Sequence, residues 1–186
     1  GDFPEYSQEF LDAKKREYLG REYLFRQHYP STDIEAFQAS PNCYFADCPL
    51  ELRAAFRSAK PDAHYVIGAD VGTGVPGGDE SAYVVLECET GDIVAGWHGI
   101  ERPRDFAVRL VRVAHEYNDA LLAVENNTES EGVIGTAQDL GARLFVSYDG
   151  RLGVRTDANT RPLMLQELAE ALCDGQCNLS DDDAIR

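Results

Sequence analysis

HYVIGAD at residues 64–70 and LLAVE at 121–125 are apolar runs that each end on an acid, Asp70 and Glu125. Each acid is followed by turn-forming residues, VGTG after the first and NNT after the second. Short apolar runs bounded by turn signals read as strands of a core. A carboxylate is costly to bury without a partner, so two acids at the mouths of core strands ask for a cation. Read singly, either acid is equally a strand-end residue capping a turn.

Working outward, the pattern on both sides of these runs is one of strands and helices. After the Gly-rich turn 71–80, SAYVVLECE (81–89) reads as a second strand. Thr90-Gly91-Asp92 then turns tightly into a third, IVAGWHGI (93–100). Pro103 opens a helix whose apolar positions Phe106, Val108, Leu110, Val111 and Ala114 recur at helical spacing to about Tyr117. A fourth strand at 120–125, a helix at 130–140, a short strand RLFVS (143–147), a loop at 148–160 and a helix over 161–172 complete the pattern. A helical crossover returns the fourth strand parallel to its neighbour, and connection rules place it beside the first. The expected fold class is therefore α/β, a mixed five-stranded sheet flanked by helices. In an open sheet the ligand crevice lies beyond the carboxyl ends of the strands where the order reverses, so Asp70 and Glu125 should face each other there.

The first sixty residues read differently, as a connector built of helices without strands. Residues 6–27 carry Tyr6, Phe10, Tyr18, Leu19, Tyr23 and Leu24 among charges, a helix broken near Gly20. Pro30 stops it, TDIEAF (32–37) opens one further helical turn, and PLELRAAFRSA (49–59) reads as a short helix with Pro at its start. The expected organisation is a helical connector over 1–60 and a catalytic domain over 61–186.

Composition excludes several classes. A chain of 186 residues with 44% hydrophobic residues, nine Tyr and eight Phe has enough to build a core. No apolar run approaches the ~18 residues of a membrane span, so the chain reads as soluble. Five cysteines form no C-x-x-C pair, and their odd number speaks against a disulfide framework. Cys43-x4-Cys48 and Cys173-x3-Cys177 have no His nearby to complete a zinc site. The net charge of −16 opposes nucleic-acid binding, which draws its affinity from Lys and Arg on phosphates. Yet Arg143, Arg151, Arg155 and Arg161 fall in one stretch after the second acidic strand. A local cluster of that kind can track a phosphate backbone on an acidic body, although scattered solvated arginines fit the sequence equally well.

Two carboxylates converging on one crevice suit Mg²⁺ or Mn²⁺, hard cations that prefer oxygen ligands. A pair of such ions about 3.5–4 Å apart activates water and stabilises the leaving oxygen of a phosphodiester. Glycoside hydrolysis also uses two carboxylates, but the single Trp, Trp97, lies in mid-strand and nothing else suggests a sugar site. His28, His64, His98 and His115 have no Ser or Cys in an elbow context, and no Walker phosphate loop is present.

YPSTDIEAF (29–37), VIGADVGTG (66–74), GGDESAYVVLE (77–87), LLAVENN (121–127) and TDANTRPLMLQEL (156–168) together resemble the nuclease domain of the phage terminase large subunit, the DNA-packaging motor. The resemblance spans about residues 22–186. It implies a ribonuclease-H-like fold and metal-dependent endonucleolytic cutting of concatemeric double-stranded viral DNA into genome lengths. It carries Asp70 and Glu125 over as catalytic metal ligands for Mg²⁺ or Mn²⁺, with a two-ion site in the complete domain. It further implies, as partners, a motor ATPase domain in the same polypeptide, the portal and the small terminase subunit, all in the host cytoplasm. The family also supplies an acid from a late helix in a His-Asp-Asp context, which is lacking up to the closing SDDDAIR (180–186). Asp181, Asp182 and Asp183 read instead as a helix-start cap. On that reading the 186 residues alone cut weakly or not at all. VIGADVGTG also resembles the first phosphate loop of actin-like sugar kinases and chaperone ATPases. A non-catalytic docking module for DNA or portal is the third reading.

Overall fold

The computed structural model describes residues 7–17, 29, 45, 52–126 and 130–180. They fall in two compact units, residues 1–48 and 49–186. In the first, helix α1 (Gln8–Glu17) ends in a basic turn, where Lys14 pairs with Glu17 at 2.9 Å. Positive charge there complements the partial negative charge of the helix C-terminus. This is the described part of the helix expected over 6–27. The turn expected at 32–37 lies outside the described residues.

The second unit is built on four strands: β2 (Tyr65–Asp70), β3 (Ser81–Glu87), β4 (Ile93–Gly99) and β5 (Leu121–Val124). Two short strands, β1 (Leu52–Ala54) and β6 (Leu179–Ser180), pair in parallel as a separate ribbon. The sheet order is β4-β3-β2-β5. β2–β3 and β3–β4 are antiparallel, and β2–β5 is parallel. Alternation along the strands decides which face is covered. Tyr65, Ile67 and Ala69 on β2, Tyr83 and Val85 on β3, and Leu122 and Val124 on β5 are buried in a single cluster. Helix α2 (Pro103–Glu116) closes that face with Phe106, Ala107, Leu110, Val111, Val113 and Ala114, a stripe at helical spacing. α3 (Glu131–Asp139) adds Val133, Ile134 and Ala137 to the same cluster. Each fully buried Phe, Leu or Val of this set stabilises the domain by about 1.5–3 kcal/mol relative to exposure.

Pro103 starts α2 because its missing N–H falls where a helix has no internal acceptor. The helix stops where Asn118 and Asp119 take left-handed backbone angles, φ 57° and 55°. Asn and Asp tolerate that conformation better than other non-glycine residues. The Ala120 N–H then bonds back to the Ala114 carbonyl at 3.0 Å, turning the chain directly into β5. α4 (Thr160–Cys173) is the last helix and buries only Ala169.

Two expectations from the sequence are corrected. The described part of the helix expected over 49–59 is not helical: 52–54 form β1, with Leu52 opposite Leu179. The Arg57 N–H bonds the Val94 carbonyl at 3.0 Å. Local propensity loses there to a partner strand far along the chain, which no local window contains. The fifth strand expected at 143–147 is a set of single bridges instead. Leu144 pairs with Leu122, Val146 with Leu152, and Val154 with Glu125. The chain doubles back on itself, so two short segments share the free edge of β5 where one continuous strand was expected. Of the cysteines, Cys88 and Cys177 are free thiols, whereas Cys173 is in a disulfide, so their odd number did not exclude a bridge. No helix among the described residues is long and apolar enough to cross a membrane.

Candidate active site

The parallel register of β2 on β5 runs Val66↔Leu121, Ile67↔Leu122, Gly68↔Ala123, Ala69↔Val124. One step further it sets Asp70 beside Glu125, and the Glu125 N–H bonds the Ala69 carbonyl at 2.8 Å. Partners in register share a face of the sheet, here the face opposite the Phe106 core. Asp70 is near enough to Glu125 to act on its titration. Asp70 is exposed and Glu125 half-buried. Burial, and then the hydrogen bond to Asp70, raise the pKa of Glu125 above the ordinary carboxylate value. A hydrogen bond from Thr156 and the positive charge of Arg161 act in the opposite direction.

The turn after Asp70 is held close to the start of β3. The Gly72 N–H donates to Ser81 Oγ at 3.0 Å, and a Cβ on Gly72 would stand 2.1 Å from the Asp79 carbonyl oxygen. Glycine is required there by close backbone approach, which anchors the end of β2 and with it Asp70.

Beside Glu125 a polar cleft of about 210 Å³ is lined by Asn126, Asp149, Arg151, Arg155, Thr156 and Asp157 among others. Its wall is the doubled-back segment: Val154 N–H bonds Val124 carbonyl and Asn126 N–H bonds Val154 carbonyl, both at 2.7 Å. Gly153 lies at the bend with φ 87°, and a Cβ there would stand 2.7 Å from the Val124 carbonyl oxygen. Gly153→Ala is therefore expected to lower the stability of the domain by about 2 kcal/mol, the scale of a left-handed strain plus a clash. Thermal unfolding against the unaltered chain measures it.

The four arginines do not form one group. Arg151 and Arg155 line the cleft, where they pair with Asp149 at 3.7 Å and Asp157 at 3.2 Å. Arg161 is near enough to Glu125 to act on its titration. Arg143 stands at the amino end of β5, its guanidinium on the Asp119 carbonyl at 3.2 Å and its carbonyl accepting the Leu122 N–H. The expectation that it clusters with the other three fails because the 143–147 segment runs parallel to β5 and begins at the far end of it. Thr156, Asn126 and Asp157 were not singled out from the sequence. The signal available for them was D-A-N-T at 157–160, an Asp followed three residues later by Thr, which marks a helix start.

Among the described residues no three of His, Cys, Asp and Glu converge as a metal cluster. The donor set of the pair nevertheless fits a hard divalent ion: two adjacent carboxylate groups at an open crevice, with room for water ligands. Asp181, Asp182 and Asp183 lie outside the described residues.

A mixed sheet with a carboxyl pair at the carboxyl ends of its two parallel strands defines a class, the α/β domains that carry an acidic site at the switch point. Within that class, the chain shares the fold of the large terminase nuclease domains. The nuclease of thermophilic phage G20c with bound magnesium superposes with TM-score 0.64 at 18% identity, covering 78% of this chain and 78% of that one. Its zinc-bound form gives 0.62 at 18% identity, covering 77% and 84%. The nuclease domain of Thermus phage P74-26 gives 0.59 at 21% identity, covering 76% and 74%. No protein-family model matches the chain, and no curated protein sequence matches it.

Proposed function

We propose that the chain is the metal-dependent endonuclease domain of a terminase large subunit, cutting concatemeric double-stranded viral DNA during packaging. The observation that carries the reading is the register that sets Asp70 beside Glu125 at the mouth of the crevice. The shared fold with solved large terminase nucleases supports it. Asp70 and Glu125 would hold Mg²⁺ or Mn²⁺, which when bound activates water and neutralises charge on the leaving oxygen. A second ion needs a further carboxylate beyond this pair. Residues 1–60 act as the connector from a motor ATPase domain, 61–186 as the nuclease, with the portal and small subunit as partners in the host cytoplasm. Relaxed plasmid in place of supercoiled plasmid, formed with Mn²⁺ and abolished by EDTA, tests the reading. DNA binding with neither Mn²⁺ binding nor nicking would overturn it in favour of a docking module.

Arg151, Arg155 and Arg161 contact phosphates without reading bases. Changing Arg155 and Arg161 to Ala is expected to weaken binding at low salt and to flatten the plot of log affinity against log salt by about 1.8, at about 0.9 per phosphate contact. Fluorescence anisotropy on labelled duplexes of two unrelated sequences measures it. Salt-insensitive binding would remove these arginines from the interface.

A further inference from the structure

We propose that Tyr148, at the tip of a hairpin that interrupts the edge of the sheet, is a stacking platform for an unpaired base of the DNA strand lying over the acidic pair. The inference rests on the nuclease reading above. Phe145 and Val154 both ladder onto β5, the Phe145 N–H on the Leu122 carbonyl at 2.9 Å and the Val154 N–H on the Val124 carbonyl at 2.7 Å. Between them the chain leaves the sheet as a hairpin. The Gly153 N–H meets the Phe145 carbonyl at 2.8 Å, Val146 pairs with Leu152, and the Ser147 N–H meets the Arg151 carbonyl at 2.7 Å. The loop at its end is Tyr148, Asp149 and Gly150, with Gly150 at φ 80° in the left-handed position that such loops require. The Gly150 N–H closes the loop on the Ser147 carbonyl at 2.9 Å, and Asp149 Oδ1 accepts the Arg151 N–H at 3.1 Å. The strand rise from Phe145 carries Tyr148 about 10 Å beyond the Phe145–Gly153 pair.

A side chain at such a tip is held in place by the hairpin yet adds nothing to the core. Tyr148 is 92% exposed, so an aromatic ring that would ordinarily be covered stands in water. The hairpin is also one wall of the cleft beside Glu125. Ser147, Asp149, Arg151 and Gly153 line that cleft with Asn126, the residue after Glu125, and Asn126 Nδ2 donates to the Leu152 carbonyl at 2.8 Å. A strand whose phosphate reaches the acids therefore passes along the hairpin. Arg151 is exposed and stands 3.7 Å from the Asp149 carboxylate, beyond hydrogen-bond reach, so that pairing leaves its donors open to a phosphate. An arginine beside an exposed aromatic ring is the combination that holds single strands, because every base offers a π-face whatever its identity. In a paired duplex the neighbouring bases cover both faces, so the ring stacks only where the strand is unpaired. The other exposed apolar side chains of the hairpin, Phe145 and Val146, belong to its base. Around Tyr148 the tip is Ser147, Asp149 and Gly150, polar neighbours that suit a nucleic acid better than the apolar centre of a protein interface.

Tyr148→Ala removes the ring and Tyr148→Phe keeps it, and neither touches the core. Fluorescence anisotropy is measured in EDTA, which prevents cutting, on a labelled single strand of mixed sequence and on the fully paired duplex of the same sequence. The Ala variant is expected to bind the single strand about tenfold more weakly than the unaltered chain, and the Phe variant within about twofold of it. On the paired duplex all three forms should agree within about twofold. Equal affinity of the Tyr and Ala forms for the single strand overturns the inference and leaves the nuclease reading, which nicking tests separately, standing. Equal losses in Ala and Phe also overturn it, since the hydroxyl and not the ring would then make the contact. A loss of about tenfold on the paired duplex overturns it as well, because it would mark a groove or backbone contact. If the unaltered chain binds neither DNA, the nuclease reading itself falls, and this inference with it.

Discussion

Asp70→Asn is expected to lower Mn²⁺-dependent nicking by about 10³-fold, the effect of losing about 4 kcal/mol of charge stabilisation in the transition state. The same variant should be more stable than the original in EDTA. Glu125 has a raised pKa because it is partly buried and faces a second carboxyl. The sign follows: a raised acid contributes stability at low pH and loses it as pH rises through its folded value. Asn at 70 removes the opposing charge, so the gap in unfolding temperature should open as pH rises above the ordinary carboxylate range. Glu125→Gln should lose nicking to a similar extent. Plasmid relaxation assays and thermal melts in EDTA at several pH values measure the two effects together. A fall in metal-free stability would mark Asp70 as a structural acid, and activity within tenfold of the original would remove it from the reaction.

The part of this site that was legible in the sequence is the part fixed by strand alternation. HYVIGAD and LLAVE announce two core strands, and the helix between them requires a parallel return, so the meeting of Asp70 and Glu125 follows from local pattern and connection rules. What was illegible depends on contacts between distant segments. β1 exists because 52–54 finds 179–180. Val154 reaches Glu125 because the chain bends at Gly153, and that bend is set by close approach to the Val124 carbonyl. Apolar periodicity carries no information about either. Arg143 was grouped with its neighbours by nearness in sequence, yet a parallel segment along β5 separates its two ends by the length of the strand.

Glu87 shows how the same residue type can have the opposite role in one sheet. It ends β3 on the buried face, 2% exposed, and its two oxygens meet Lys60 Nζ at 2.6 Å and the Arg57 guanidinium at 2.9 Å. Arg57 also reaches Asp92 at 2.7 Å, and Asn178 Nδ2 donates to the other Asp92 oxygen at 2.8 Å. Two distant segments, 57–60 and Asn178, are thereby tied to the β3–β4 turn. The Lys60 hydrogen bond first, and then Arg57, hold Glu87 below the usual carboxylate range in spite of its burial. Glu125 faces an acid and is raised; Glu87 faces cations and is lowered. A buried acid with its cations already supplied by the chain is structural, whereas one lacking them is open to a metal. Glu87→Ala should therefore cost about 3 kcal/mol, the low end for breaking a buried pair, because Lys60 and Arg57 still reach water. Mn²⁺ affinity should be unchanged while the variant remains folded. The pH dependence has the reverse sign from the Asp70 pair: the advantage of Glu over Gln at 87 is present above the ordinary glutamate value and lost as pH falls through the lower folded value. Urea unfolding at neutral and acidic pH measures both, and a loss below about 1 kcal/mol at neutral pH would place the network among ordinary surface ion pairs.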